Sequence, residues 1–162
     1  MNVTVHASVF HGGGQKGDFG WMLEQPEYDG AFFIFNDNEG EFLAYQSDQG
    51  KSGPGCMPGG GNAAIRPWQC ATPPRAGGIP TGSYNITDAN GNHGYPSLTP
   101  EVKGYIDTAV AFIAKRIADT GCTDVYYSSD GNGGLGTHIF SPSPEVTSYI
   151  VSKINSLGTV DS

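Results

Sequence analysis

Apolar residues form short runs in the first half of the chain and recur at helical spacing in the second half. The run Ala31–Phe35 is continuously apolar and lies between polar turn residues, which is typical of a strand buried on both faces. An earlier β-branched stretch contains Val3, Val5 and Phe10 and ends at the glycines 12–14. This stretch predicts a first strand.

The middle of the chain is polar and rich in glycine and proline. Residues 39–62 carry mostly polar side chains and predict a connection. The segment Asn62–Cys70 has room for one or two helical turns, because Pro67 lacks a backbone donor and disfavours helix at Arg66. Residues 77–82 predict a short extended piece closed by a turn.

A long helix is predicted between Thr99 and Gly121. Thr99 suits the N-cap, Pro100 the first helical position, and Gly121 the left-handed C-terminal position. Apolar residues recur between them at spacings of three and four: Val102, Ile106, Ala109, Val110, Ile113 and Ile117.

A strand over 125–128, a glycine loop and a final helix complete the pattern. Ser143 is the predicted cap of this helix, Pro144 its first residue and Gly158 its end. Its apolar stripe is Val146, Ile150, Ile154 and Leu157. Helices that alternate with strands in this way predict a single α/β domain over 1–162, with helices packed on a sheet.

Composition narrows the function classes. The chain has 162 residues with 25 glycines and 11 prolines, which we assign to ordered loops of the kind that bind ligands. Its net charge of −8 disfavours duplex nucleic acid as a partner, and no apolar run is long enough to span a membrane. We therefore expect a soluble protein.

The cysteines indicate a cytoplasmic location. Cys56, Cys70 and Cys122 form no C-x-x-C pair, and their odd number argues against a closed disulfide framework. Cys56 and Cys70 together with His93 fit no zinc spacing. No metal or cofactor is predicted.

Two glycine loops are the main candidates for chemistry. The run Gly59–Gly61 passes directly into residues that can start a helix, and Asp130–Thr137 follows the strand at 125–128. Glycine lets backbone N–H groups approach an anion, and a helix N-terminus adds partial positive charge. The loops predict one nucleotide-sized crevice, with Arg66 or Arg75 neutralising phosphate; the alternative is that both loops are simple turns.

The order of these motifs resembles the macro domain family, which binds ADP-ribose and related nucleotides. Residues 33–38 resemble the family's strand with its asparagine-rich loop, 59–65 its glycine loop and helix, and 135–140 its second phosphate loop. Residues 78–81 are similar to a segment of small macro-like proteins of bacteria and phages. The resemblance implies a three-layer α/β fold with a mixed central sheet and flanking helices.

Departures from the family pattern favour binding over turnover. His138 stands where the family usually has glycine, and Pro67, Trp68 and Gln69 replace the diglutamate of the glycohydrolases. The acidic residue that follows the glycines in mono-ADP-ribose hydrolases is also missing. The resemblance implies sequestration of an ADP-ribose-derived or cyclic nucleotide immune signal, in the host cytoplasm if the chain is phage-encoded, as an anti-defence protein.

An enzyme and an interaction module are the alternatives. A hydrolase or phosphodiesterase would use Asp37, Asp130 or His138 as general acid or base. Those aspartates could instead only stabilise their own turns, and the histidine could face solvent. Residues 1–30 could also contribute a strand or an arm that pairs with a neighbour, which would give a homo-oligomer.

The predicted ligand contacts come from the two glycine loops and their surroundings. They are Asn36, Asn38, Gly59, Gly60, Gly61, Asn62, Arg66, Trp68, Arg75, Gly133, Gly134, Leu135, Gly136, Thr137 and His138. Trp68, Tyr84 and Tyr95 are candidates for stacking on a base. The alternative is that these rings cover the open edge of a small sheet.

Overall fold

The computed structural model describes residues 2–48, 53–137 and 140–161, and its centre is a five-stranded sheet. The strands are β1 Thr4–Val9, β2 Ala31–Asp37, β3 Ala76–Pro80, β4 Asp124–Ser129 and β5 Thr159–Val160. Their order is β3-β2-β4-β1-β5, and every pair is parallel. The α/β class is confirmed, whereas the mixed sheet is wrong for the described strands. Each connection exceeds the dozen or so residues that a parallel crossover needs.

The described residues form four α-helices beside the sheet. They are α1 Phe19–Met22, α2 Glu39–Asp48, α3 Pro100–Thr120 and α4 Pro144–Asn155. The same ranges also contain three 3₁₀ helices, over Pro26–Tyr28, Pro54–Cys56 and Gly61–Gln69. The caps of α3 are as predicted: the Thr99 side chain accepts the Val102 N–H, and Gly121 is left-handed with φ of 74°.

Helices cover both faces of the sheet, so the domain has three layers. Phe32 and Ile34 of β2 point into a core shared with α3 and α4, whereas Phe33 and Phe35 point into a second core shared with α1 and the helix Gly61–Gln69. All five residues of Ala31–Phe35 are buried, as predicted. No helix in the described part of the chain is long and apolar enough to cross a membrane.

Some element predictions were wrong. Helix α2 forms within the segment predicted as a connection, because it begins at a capping residue, Asn38, whose side-chain oxygen accepts the Glu41 N–H at 2.9 Å. Helix α4 ends at Asn155, before Gly158. A Cβ at Gly158 would collide with the carbonyl oxygen of Val3. This glycine therefore allows close approach to the chain leading into β1.

Strand β1 pairs within its own chain. It lies between β4 and β5, and His6 bonds through both ring nitrogens, to Asp124 at 2.8 Å and to Asp161 at 2.9 Å. Residues 4–9 therefore form a strand of the protein's own sheet, and β5 pairs only with Thr4 and Val5 on its outer side. The pairing of an arm with a neighbour stays a prediction.

A disulfide joins Cys56 and Cys70, contrary to the prediction from cysteine number. An odd count leaves room for one pair, and the third thiol, Cys122, is free and buried. The disulfide also removes the thiolates that a metal site with His93 would need. The cytoplasmic location stays a prediction without its cysteine argument, because disulfides usually form in oxidising compartments.

Candidate functional site

The candidate site is a cavity of about 610 Å³ at the carboxyl edge of the sheet. The chain leaves β2 toward β3 on one side and leaves β4 toward β5 on the other. Neighbouring parallel strands whose connections diverge leave a crevice between their carboxyl ends, which is where open α/β sheets bind ligands. Asn36 to Asn38 of the β2 end and Ser128 of β4 line this cavity.

The glycine loop 59–61 forms one wall of the cavity and begins the helix Gly61–Gln69. Gly60 is the N-cap and supplies no side-chain bond, while Gly61 has φ of 58°. Within the described residues, no acceptor bonds the backbone N–H groups of Gly60, Gly61 and Asn62. Such orphan donors at a helix start are where anions bind.

Asn62 holds this loop against the rest of the fold. Its side-chain oxygen accepts the Phe19 N–H at 2.9 Å, and its amide lies 3.4 Å from the Ser128 hydroxyl. The side chain is buried and joins α1, the glycine loop and β4. Its side-chain role is therefore to position the loop, while its backbone N–H stays unpaired.

Arg66 lies beneath the glycine loop and forms a buried ion pair with Asp37. One terminal nitrogen donates to Asp37 Oδ1 at 2.8 Å, and the other donates to the Met57 carbonyl at 3.0 Å. The Nε atom is buried and has no partner among the described residues. A Cβ at Gly59 would lie 2.8 Å from Arg66 Nη1, so glycine there lets the guanidinium pack under the loop.

Asp37 is a buried carboxyl with a perturbed pKa. Burial raises the pKa to about 6, although Arg66 and the Asn38 N–H both favour the charged form. The Oδ2 atom faces Gly78, where a Cβ would lie 2.8 Å away. Because Oδ1 is bonded to Arg66 and Oδ2 is covered by the sheet, the carboxyl is placed to hold Arg66.

Asn36 and Asn38 also serve the architecture of the cavity. Asn36 donates its amide to the Gly136 carbonyl at 2.6 Å, which joins the end of β2 to the second glycine loop. Asn38 caps α2. Both predicted contact residues therefore line the cavity with side chains already used inside the protein.

The second glycine loop reaches the cavity through Gly136. Gly133 and Gly134 line a separate groove against α4, and Leu135 is buried in the core. The Thr137 hydroxyl lies 3.2 Å from that of Ser141. The prediction that this whole loop lines one crevice is thus wrong for four of its residues, because the loop turns toward α4 before Gly136: Gly133, Gly134, Leu135 and Thr137 do not line the cavity.

Asp130 lies outside the cavity and stabilises its own turn. Its carboxylate accepts the backbone N–H groups of Asn132 at 2.7 Å and Gly134 at 3.0 Å. This is the turn role considered as an alternative for Asp130. His138, the third candidate for catalysis, lies outside the described residues.

Aromatic rings from three separate loops line the cavity: Phe10, Tyr84 and Phe140. The Tyr84 and Phe140 rings meet edge to face with centroids 5.0 Å apart. Tyr84 is 62% exposed although it is large and largely apolar. An exposed ring beside a cavity offers a flat surface for a ligand ring.

Three other sequence candidates lie away from the cavity: Trp68, Arg75 and Tyr95. Trp68 is exposed and does not line this cavity, and Tyr95 is buried in the core. The Arg75 guanidinium donates to the carbonyls of Leu23 at 3.2 Å and Tyr28 at 2.6 Å. Closeness in sequence to the glycine run was therefore a poor guide: Trp68 belongs to the helix that this run begins but does not line the cavity, and Arg75 is bonded to the segment before β2.

Several lining residues escaped the sequence prediction. They are Phe10, Glu41, Pro58, Ala63, Thr81, Ser128 and Phe140. Three of them lie at or just after the carboxyl ends of strands, namely Phe10, Thr81 and Ser128. Because these ends meet at one edge of a parallel sheet, the strand order would have indicated them. Glu41 is near the start of α2, which the sequence did not predict.

Comparison with family models, with curated proteins and with solved structures finds no match for this chain. The resemblance to macro domains therefore stays a hypothesis based on motif order. The arrangement itself provides backbone donors, one buried cation and aromatic rings around a single cavity.

Proposed function

We propose that this protein binds and sequesters a nucleotide that carries phosphate, in the cavity between the ends of β2 and β4. The observation that carries the proposal is that the N–H groups of Gly60, Gly61 and Asn62, at a helix start, have no acceptor among the described residues. Such N–H groups, together with the dipole of the helix, bind phosphate oxygens.

Arg66 supplies the positive charge of this site. It is 6% exposed, it lines the same cavity, and its Nε proton lacks an acceptor in the described structure. A phosphate oxygen would satisfy a buried donor that is costly to leave unpaired. The local cation can bind an anion although the whole chain has a net charge of −8, because close contacts dominate recognition.

The remaining walls suit the rest of a nucleotide. The cavity volume of about 610 Å³ falls in the range of small-molecule sites. Tyr84, Phe140 and Phe10 provide ring faces for a base. An ADP-ribose-derived or cyclic nucleotide combines the required phosphate and base, and the motif resemblance to macro domains favours the same ligands.

Sequestration is favoured over hydrolysis by the state of Asp37. This buried carboxyl is bonded to Arg66 at 2.8 Å and is 3% exposed, so it is poorly placed to activate water. The hydrolase remains the second candidate because the pKa of Asp37 is raised to about 6, close to what a general base needs at neutral pH.

A capture experiment separates these functions. The protein is incubated with ADP-ribose, cyclic ADP-ribose isomers and cyclic dinucleotides, then freed of unbound ligand and heated, and the released material is analysed by mass spectrometry. Release of one input with unchanged mass supports sequestration, and release with altered mass supports the hydrolase. If none is captured from the panel, the proposed binding function is contradicted for these nucleotides.

Gly60→Val is the matched test of the binding surface. A Cβ at Gly60 meets no atom within 4 Å, so the fold tolerates it while the side chain obstructs the N–H groups. We expect capture to be lost with an unchanged melting temperature. Gly104→Val is the control, since Gly104 of α3 is also open and lies away from the cavity.

A further inference from the structure

Glu41 places a carboxylate in the cavity proposed for phosphate. Asp37 and Glu41 are the acidic residues among the described residues that line it. The Asp37 carboxyl is bonded to Arg66 and to the Asn38 N–H. No donor in the described ranges bonds the Glu41 carboxylate. Glu41 therefore has acceptor oxygens available to a ligand, whereas the Asp37 carboxyl is already bonded.

The backbone of Glu41 is held in place by the helix cap. Its N–H donates to the Asn38 side chain at 2.9 Å, in the first turn of α2. The other acid of this turn, Glu39, accepts the Tyr95 hydroxyl at 3.0 Å. Glu41 is thus the first-turn acid that lines the cavity and has an unused acceptor.

Glu41 lies near the subsite proposed for phosphate. It lines the same cavity as Gly60 and Arg66, and its charge also contributes to raising the pKa of Asp37, the carboxyl bonded to Arg66. A carboxylate repels negative charge, so the part of the ligand that lies against Glu41 must donate hydrogen bonds, while the phosphates lie at the N–H groups and Arg66. In a nucleotide, the group joined directly to the phosphate is the ribose, whose hydroxyls are such donors.

We propose that Glu41 determines the specificity of the cavity by accepting hydrogen bonds from the 2′- and 3′-hydroxyls of a ribose. The cavity then selects ribonucleotides with an intact diol, which include ADP-ribose, over deoxynucleotides with the same base and phosphates and over cyclic nucleotides whose 3′-oxygen is esterified. This inference rests on the proposed function, since it assigns the sugar position relative to the phosphate position.

The test compares three probes by isothermal titration calorimetry: ADP, 2′,3′-dideoxy-ADP and pyrophosphate. We expect the wild-type protein to bind ADP about tenfold or more tightly than the dideoxy probe, as for hydrogen bonds to a charged acceptor. Glu41→Gln should reduce this preference to about threefold or less. It should also bind pyrophosphate as tightly as the wild type or more tightly, because a negative charge is removed.

The control is Glu145→Gln, which makes the same change in the first turn of α4 at an exposed position. It should leave all three affinities unchanged. Circular dichroism and the melting temperature of Glu41→Gln establish that this variant is folded.

The possible failures of the two proposals differ. Equal wild-type affinity for ADP and the dideoxy probe, or full discrimination retained in Glu41→Gln, would overturn the role of Glu41 and leave phosphate binding intact. Absence of binding to ADP and pyrophosphate by the wild type would overturn both proposals for these probes.

Discussion

Arg66 Nη2 lies 2.8 Å from Asp37 Oδ1, and both side chains are almost completely buried. Asp37 ends β2 and Arg66 belongs to the helix Gly61–Gln69, so the pair joins the sheet to the wall that carries the glycine loop. A buried ion pair is costly to desolvate, yet removing one partner costs more because the other charge stays buried. The pair therefore fixes the shape of the cavity.

Arg66→Met should destabilise the protein in a pH-dependent way. Methionine keeps an apolar stem but leaves Asp37 without its cation, so we expect the free energy of unfolding at about pH 8 to fall by about 3–5 kcal/mol. Burial already raises the pKa of Asp37 to about 6, and loss of Arg66 raises it further. The folded variant then takes up a proton as the pH falls, so the deficit should shrink toward about pH 5. Urea denaturation at both pH values measures this.

The same pKa has a consequence for the wild-type protein. A carboxyl whose folded pKa is higher than its ordinary value of 3.8 keeps its proton to a higher pH in the folded state than in the unfolded state. The contribution of Asp37 to stability therefore decreases as the pH rises from about 4 to about 6. Asparagine does not titrate, so the free energy of unfolding of the wild type should fall relative to that of Asp37→Asn across this pH window. A relative gain instead would contradict the raised pKa.

Asp18→Asn should loosen the loop after β1. The Asp18 carboxylate accepts four backbone N–H groups, from His11, Gly12, Gly14 and Gln15. Burial acts to raise its pKa, but these donors together hold the pKa below its ordinary value. We expect a loss on the order of 2–3 kcal/mol at neutral pH by chemical denaturation, because an amide offers one acceptor oxygen and adds competing donors.

The pH dependence of this effect has the opposite direction to that of Asp37. A lowered folded pKa gives stability that is present above the unfolded value and is lost as the pH falls through the folded value. The difference between wild type and Asp18→Asn should therefore diminish below about pH 4. Asp130→Asn is the control: its carboxylate also accepts backbone N–H groups, but it is exposed, so a change within about 0.5 kcal/mol is expected.

Removal of the disulfide should destabilise the wall with the glycine loop. Cys56 and Cys70 are 14 positions apart, and the ring that they close contains Gly59–Gly61 and Arg66. Replacing both cysteines with alanine should lower the free energy of unfolding by about 3 kcal/mol, the value for a closed loop of this length. Reductant should reproduce the loss in the wild type and have no further effect on the double variant. An effect on both would indicate that reductant acts elsewhere.

Comparing Tyr84→Ala with Trp68→Ala tests whether the ligand binds in the cavity or on the exposed surface near it. Both rings are exposed, but Tyr84 lines the cavity and Trp68 does not. We expect Tyr84→Ala to weaken binding of whichever nucleotide is captured by about tenfold, as for a lost stacking contact. Trp68→Ala should leave the dissociation constant unchanged in the same titration. The reverse result would place the base on the other side of the glycine loop.

Much of the fold could be predicted because its elements carry strong local patterns. Ala31–Phe35 is a continuous apolar run, and α3 has an N-cap threonine, a first-turn proline and a C-terminal glycine. Helix α2 was missed because its apolar residues, such as Phe42 and Tyr45, lie among polar residues without a clear stripe. Its position depends on the cap at Asn38 and on packing against other elements.

The site was predicted in part for a similar reason. A glycine run can be recognised in the sequence, so Gly59–Gly61 was correctly predicted to line the cavity. The direction in which a loop runs depends on its packing in the folded chain. Gly133 therefore faces α4, and Arg75 is bonded to carbonyls of the segment before β2. Tyr84 and Phe140 meet only through the folded chain, across a sequence separation that carries no motif.

The divergence of the chain at β2 and β4 has a consequence for cooperativity. Segments around residue 10, within 36–41, 58–66 and 81–84, and at residues 136 and 140 all contribute to one cavity, although they lie far apart in sequence. A molecule bound there would tie these segments together, and at 100 times its dissociation constant it would add about 2.7 kcal/mol to global stability. Amide hydrogen exchange in the interior strands, which reports global opening, would then slow together with exchange in the loops.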